Sequence, residues 1–161
     1  MSLLLTPYSS KIDRAAFGCG VEELDRFIQQ QATQHCKKGM CSVTLLMEDN
    51  RLAGFYSLSP FALSLQELPP ALAKKFPRNL LLPCWLVGRL AVDTDFRGRH
   101  CGSILLTDAM QKIKKLAAEA GGYGVVVDAK TEKVKPFYEQ FGFREIQPGG
   151  LRLLLPVRSI A

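Results

Sequence analysis

The run VGRLAVDTDFRGRHCGSILLTDA, residues 87–109, passes from an apolar strand through a short basic loop with two glycines into an amphipathic helix. The first backbone N–H groups of a helix have no partner inside it and carry a partial positive charge. A loop that turns them inward makes a seat for a pyrophosphate, and glycines let the ligand approach the backbone. Arg97, Gly98, Arg99 and Gly102 supply these parts. A basic turn before a helix also occurs as a plain loop, so the context has to carry the reading. No GK[ST] follows, which excludes a Walker A loop. A dinucleotide fingerprint is excluded too: the loop lies late in the chain, and no acidic residue is placed for a ribose.

Working outward, residues 3–8 read as an edge strand. Residues 22–34 have helical spacing with Leu24, Phe27 and Ile28 on one side, Gly20 near the start and Gly39 just past the end. SVTLLMED and RLAGFYSLS are apolar runs that turn back on each other around Asn50. A short helix is expected over 68–76, between prolines, and a buried strand over 84–92. The long helix over 102–120 puts Leu105, Ala109, Ile113, Leu116 and Ala120 on one stripe, and Gly121-Gly122 end it. A buried strand over 123–129 follows. Then comes a short helix over 135–142 with proline in its first turn, and two last strands, FREI and LRLLLPV. Hairpins mixed with crossover helices predict one α/β or α+β domain over residues 1–161, built on a mixed sheet flanked by helices.

The 161 residues are 47% hydrophobic, enough for a core and too apolar for a disordered chain. No apolar run reaches the roughly 18 residues that a membrane helix needs, and residues 80–87 are interrupted by Pro83. The N-terminus lacks the basic start and apolar centre of a signal peptide. Cys19, Cys36, Cys41, Cys84 and Cys101 are odd in number, and we read them as reduced thiols of a cytoplasmic protein. His35, Cys36 and Cys41 lack the second ligand pair of a zinc site, so no metal is expected. The net charge is +6 with a pI near 9.2. That fits a polyanionic partner, or simply a solvated basic surface.

The loop, its place between strand and helix, and KPFYEQFGF at residues 135–143 together resemble the GNAT superfamily of acetyl-CoA-dependent N-acetyltransferases. Their pyrophosphate loop reads [RQ]-x-x-G-x-[GA]. Arg97 and Gly102 match its ends, and His100 stands where the middle glycine is usual. FGCGVEELDRFI, LVGRLAVD, VVVDAK and FYEQFGF are similar, more narrowly, to the TacT/AtaT group of toxin acetyltransferases. That resemblance implies acetyl-CoA as cosubstrate and acetylation of the α-amine of aminoacyl-tRNA, which blocks translation. It also implies a homodimer, neutralised by a ribbon-helix-helix antitoxin.

The resemblance assigns roles. Arg97, Gly98, Arg99, His100, Cys101, Gly102 and Ser103 would hold the pyrophosphate. Leu90, Ala91 and Val92 would offer backbone groups to the pantetheine arm and the acetyl carbonyl, where an N–H stabilises developing negative charge. Phe137 lies beside the cofactor, and Tyr138 is the general acid for the leaving thiolate. An α-amine with pKa near 7.7–8.0 is already partly neutral at pH 7, so no general base is required. Lys37, Lys38, Arg78 and Arg89 could track tRNA phosphates. Arg89 is a charge inside a buried-looking strand, which points to a cleft, an interface or a carboxylate partner. The thiol of Cys101, at a helix start, could be acidified and reactive. Histidine tolerates positive φ better than most residues, so His100 is expected to weaken cofactor binding without abolishing it. Two alternatives remain: a GNAT enzyme acting on a small-molecule or protein amine, and a non-catalytic GNAT-fold binding module.

Overall fold

Two continuous apolar runs and a tight turn set up the first part of the sheet. β1 (Leu3–Pro7) pairs antiparallel with β2 (Ser42–Glu48), and β2 with β3 (Arg51–Ser64). Asp49 and Asn50 form the turn, with Asp49 at φ +52°, a conformation that aspartate adopts more readily than most residues. These coordinates are a computed structural model and describe residues 2–161. The sheet continues with β4 (Leu81–Val92), β5 (Gly124–Asp128), β6 (Arg144–Glu145) and β7 (Arg152–Pro156). Strand order is β1-β2-β3-β4-β5-β7-β6. β4 and β5 run parallel, in register over Trp85–Val87, while β5 with β7 and β7 with β6 are antiparallel. The sheet is therefore mixed, as the sequence predicts, with β1 at one edge.

Packing divides the chain into two compact units. The first contains the residues up to Ser59 together with Gly88–Ala109; the second contains Pro60–Val87 and Met110–Ala161. In the first, α1 (Glu22–Arg26) passes through a π-helical turn (Phe27–Gln31) into α2 (Ala32–Lys37). The extra residue of the wider turn keeps Phe27 and Ile28 in the core. There Phe27 stacks on Phe55 at 5.9 Å between ring centres, and Phe17 meets Phe55 edge-on at 5.6 Å. Ala91 of β4 joins the same cluster. The second unit buries Leu63, Leu82, Cys84, Val126, Ile146 and Leu154, and its short helix is α3 (Pro70–Ala73).

α4 (Cys101–Ala120) supplies its first nine residues to the first unit and the rest to the second. Leu105, Ala109 and Ile113 are buried as the stripe requires, but Ala120 is exposed, because the last turn runs past the core. β3 extends beyond the expected run, through Pro60 to Ser64, and β4 begins at Leu81 rather than Cys84. α5 (Lys135–Glu139) is shorter than expected and closes at Gly142, which takes φ +100°.

Candidate active site

The loop ahead of α4 is built on one buried carboxylate. Asp93 follows the last residue of β4 and is 3% exposed. Its Oδ1 accepts the Asp95 N–H at 2.8 Å, which caps the 3-10 turn Thr94–Phe96. Its Oδ2 accepts the Gly18 N–H at 3.0 Å, and the Thr94 N–H donates back to the Gly18 carbonyl at 2.9 Å. Segment 17–20 thus forms the rear wall of the loop. Phe96 is buried beneath it, with the Arg51 and Arg99 guanidinium groups 5.0 and 5.2 Å from its ring centre.

Gly98 takes φ +79° and His100 φ +60°. Both lie in the left-handed region, where glycine has no Cβ penalty and histidine is among the more tolerant residues. His100 therefore keeps the backbone conformation that a glycine would supply. The first rung of α4 is the Ile104 N–H donating to the His100 carbonyl at 3.0 Å. The N–H groups of Cys101, Gly102 and Ser103 precede that rung, at the positive end of a helix of 20 residues. A helix start of this kind suits a phosphate.

The loop arginines have partners. Arg97 is exposed and donates through Nη2 to the Cys19 carbonyl at 3.0 Å. Arg99 is exposed and donates to both carboxylate oxygens of Glu48, at 3.2 Å from Nη1. This hydrogen bonding holds the Glu48 carboxyl below its ordinary range and raises Arg99. Cys101 is 2% exposed, packed as a small residue at the helix start, and burial pushes its thiol up while the Arg99 charge opposes this.

Behind the loop, Ala91 is buried and Leu90 and Val92 are half-buried. Gly54 of β3 lies against this strand: a Cβ there would stand 2.7 Å from the Ala91 carbonyl oxygen and 2.9 Å from Leu105 Cδ1. The ladder between β4 and β5 ends at Val87, three residues before Leu90.

In the second unit, Tyr138 lies on α5 and is 4% exposed. Phe137 and Phe143 meet its ring edge-on at 5.2 and 5.9 Å, and Phe141 packs on Phe137 at 5.5 Å. Burial pushes the phenol up to about 12, with help from the negative charge of Asp128. Asp128 is gripped by Arg152 at 2.7 and 3.2 Å, and Arg152 also reaches Glu67 at 2.9 Å. α5 is pinned at its start by Lys135, whose Nζ reaches Glu145 at 2.5 Å and Glu132 at 3.3 Å.

The expected substrate-side cations separate. Lys37 and Lys38 are exposed at the end of α2 in the first unit, and Arg78 is exposed in the second. Arg89 is half-buried in the first unit, 3.7 Å above the Phe27 ring, with Nη1 donating to Ser57 Oγ at 3.4 Å. Its partners are an aromatic face and a hydroxyl rather than a carboxylate. Asp93, Gly54 and Asp128 were not legible as site residues. For Asp93 there was a signal, the D-x-D pattern of a side-chain-capped turn.

A mixed sheet that hands a strand, through a left-handed loop, to the N-terminus of a long helix is the fold of acetyl-CoA-dependent acetyltransferases. The chain belongs to the acetyltransferase (GNAT) domain family, which it matches over residues 38–145. Over 157 residues it is 29% identical to a probable TacT toxin of Sinorhizobium fredii, covering 92% of this chain and 87% of that one. Over 147 residues it is 30% identical to a tRNA-acetylating toxin of Mycobacterium tuberculosis, covering 91% and 87%. Among solved structures, a tyrosine-to-phenylalanine mutant of KacT matches with a TM-score of 0.90 and 26% identity, over 99% of this chain and 97% of that one. AtaT complexed with acetyl-methionyl-tRNAfMet matches in fold with a TM-score of 0.87 and 24% identity, over 98% and 96%.

Proposed function

We propose that this protein is the toxin of a toxin–antitoxin pair, acetylating the α-amine of aminoacyl-tRNA and thereby blocking translation. The observation that carries the reading is its 30% identity, over nine-tenths of the chain, to a protein named for acetylating tRNA. Its similarity to a probable TacT toxin agrees. An antitoxin is its protein partner, and AtaT has been solved with the C-terminus of its antitoxin AtaR. We take that partner to be of ribbon-helix-helix type, the enzyme to be a cytoplasmic homodimer, and residues 1–161 to act as one catalytic domain.

Acetyl-CoA supplies the acetyl group as a thioester. The N–H groups of Cys101, Gly102 and Ser103, with the turn Arg97–His100, hold its pyrophosphate. Leu90–Val92 lie beyond the end of the ladder with β5 and present backbone groups to the acetyl carbonyl as its oxygen gains charge. Phe137 lines the approach to Tyr138. The phenol stays protonated throughout the physiological range and donates to the leaving sulfur. Full transfer from a group at about 12 to a thiolate whose thiol lies near 8.5 is uphill. The phenol therefore passes its proton on only as the new ammonium gives up its own. Lys37, Lys38, Arg78 and Arg89 face RNA phosphates.

The test is to incubate the protein with acetyl-CoA and a pool of charged tRNA, and to look for N-acetylated aminoacyl ends by mass spectrometry. Product from the wild type, with far less from Tyr138→Phe, is expected. Acetyl-CoA binding without product would redirect the reading to small-molecule or protein amines. No binding at all would leave a GNAT-fold module without catalysis.

A further inference from the structure

Arg89 is a cation with most of its donors unspent. Its guanidinium lies 3.7 Å above the Phe27 ring, and behind Phe27 stands Phe55, stacked at 5.9 Å. His35 braces Phe27 edge-on at 5.2 Å. One N–H makes a long bond to Ser57 at 3.4 Å; among the described residues no carboxylate pairs with it. A guanidinium carries five N–H donors in a rigid fork. An aromatic shelf fixes one face and leaves the outer edge to an oxyanion, and that geometry suits a phosphate gripped through two parallel bonds.

The surroundings add direction. Arg89 and Ala91 alternate with Leu90 along β4, so both face the aromatic cluster while Leu90 faces the other way. His35, which braces Phe27, belongs to α2, so the helix that ends at Lys37 packs against the ring that carries Arg89. Lys37 and Lys38 are exposed there. The half-buried arginine and the two exposed lysines belong to the same unit.

We propose that Arg89 is the acceptor-side phosphate anchor, gripping the phosphodiester nearest the aminoacylated end of the RNA. This rests on the aminoacyl-tRNA reading above. Arg89 stands one residue before the backbone assigned to the acetyl group. The phosphate it grips is therefore the one closest to the reacting amine, and Lys37 and Lys38 meet phosphates further along the strand. The residue sets which acceptors react: an amine attached to a phosphorylated nucleotide is favoured over a bare amine.

The experiment compares wild type, Arg89→Gln and Arg89→Lys on two acceptors: charged tRNA, and an aminoacyl-adenosine without phosphate. Wild type failing on both would overturn the aminoacyl-tRNA reading before any variant is considered. With that reading intact, Arg89→Gln is expected to raise KM for charged tRNA about tenfold, the effect of losing a charged hydrogen-bonded contact. It should also flatten the salt dependence of kcat/KM by about 0.7 per decade, the share of one single-strand phosphate. Its acetyl-CoA dissociation constant should stay within twofold of wild type, and its loss on aminoacyl-adenosine should be several-fold smaller than its loss on charged tRNA. Arg89→Lys should restore the salt dependence but only part of KM, since lysine keeps the charge and loses the fork. Equal losses on both acceptors would overturn the proposal in favour of a packing role. Unchanged tRNA kinetics would overturn it too, and would mean that Arg89 serves another anion, such as an acidic peptide. Thermal unfolding and acetyl-CoA titration show whether each variant is folded, and Arg89→Lys carries the test if Arg89→Gln is not.

Discussion

His100 and Tyr138 show how a single residue sets what the site can do. At φ +60°, His100 occupies a conformation that costs an L-residue roughly 1–2 kcal/mol. His100→Gly should therefore raise the thermal midpoint and leave acetyl-CoA binding equal or tighter, while His100→Val should lower the midpoint. Calorimetry and a titration on the same samples check both. The loop motif made His100 legible as the odd residue, but only the backbone reveals that its side chain leaves the loop shape intact. Tyr138 holds its proton more tightly folded than unfolded. Its folded pKa is raised to about 12 from an ordinary value near 10, so its contribution to stability is fully present below pH 10 and is lost as pH rises towards 12. The phenol thus stays protonated across the physiological range. kcat/KM should rise with pH through the α-amine value near 7.7–8.0 and then hold level to about pH 10. A descending limb near pH 8.5 would sink the role of this phenol. Tyr138→Phe should cost between about 10² and 10⁴ in kcat with little change in the acetyl-CoA dissociation constant.

At the scale of elements, hydrophobic period and turn chemistry were enough to order the strands and helices. The run 87–109 predicts its own strand, loop and helix almost to the residue, because charge and glycine fall together there. Three features were hidden. The π turn at Phe27–Gln31 has no sequence mark, since its extra residue only widens a helix whose apolar spacing already holds. β3 continues through Pro60 because an exposed proline in a strand need not break the pairing of its neighbours. Asp93 looked like one more charge after a strand, and its role rests on Gly18, 75 residues earlier. Gly54 likewise gave no hint that β3 and β4 meet there at backbone contact. Gly54→Ala would force a methyl group against the Ala91 carbonyl and Leu105. The variant should lose about 1–3 kcal/mol of stability and bind acetyl-CoA more weakly, because the strand that must move carries Leu90–Val92. A variant as stable and as tight-binding as wild type would show that this approach does not position the strand.

Over the whole molecule the +6 charge is not shared out. The first unit carries nine lysines and arginines against nine acidic residues, the second twelve against six. Overall charge was legible as a bias towards polyanions, but its one-sided placement depends on packing. The second unit should therefore supply most of the long-range attraction to a polyanion, with the short-range grip left to the contact proposed for Arg89. Lys114→Glu combined with Lys115→Glu, both exposed on α4, should lower kcat/KM for charged tRNA several-fold at low salt. The difference should vanish at high salt, and a salt-independent loss would point instead to local damage. The second unit also contains the chain's one tryptophan. Trp85 donates its indole N–H to the Gly121 carbonyl at 3.1 Å, and a Cβ on Gly122 would stand 2.4 Å from the same nitrogen. This is a built-in fluorophore. Its emission reports the junction of β4 with the end of α4, and nothing in the first unit contributes an indole signal. Loosening of that junction would shift the emission to the red, so the melting of the second unit can be followed without attaching a dye.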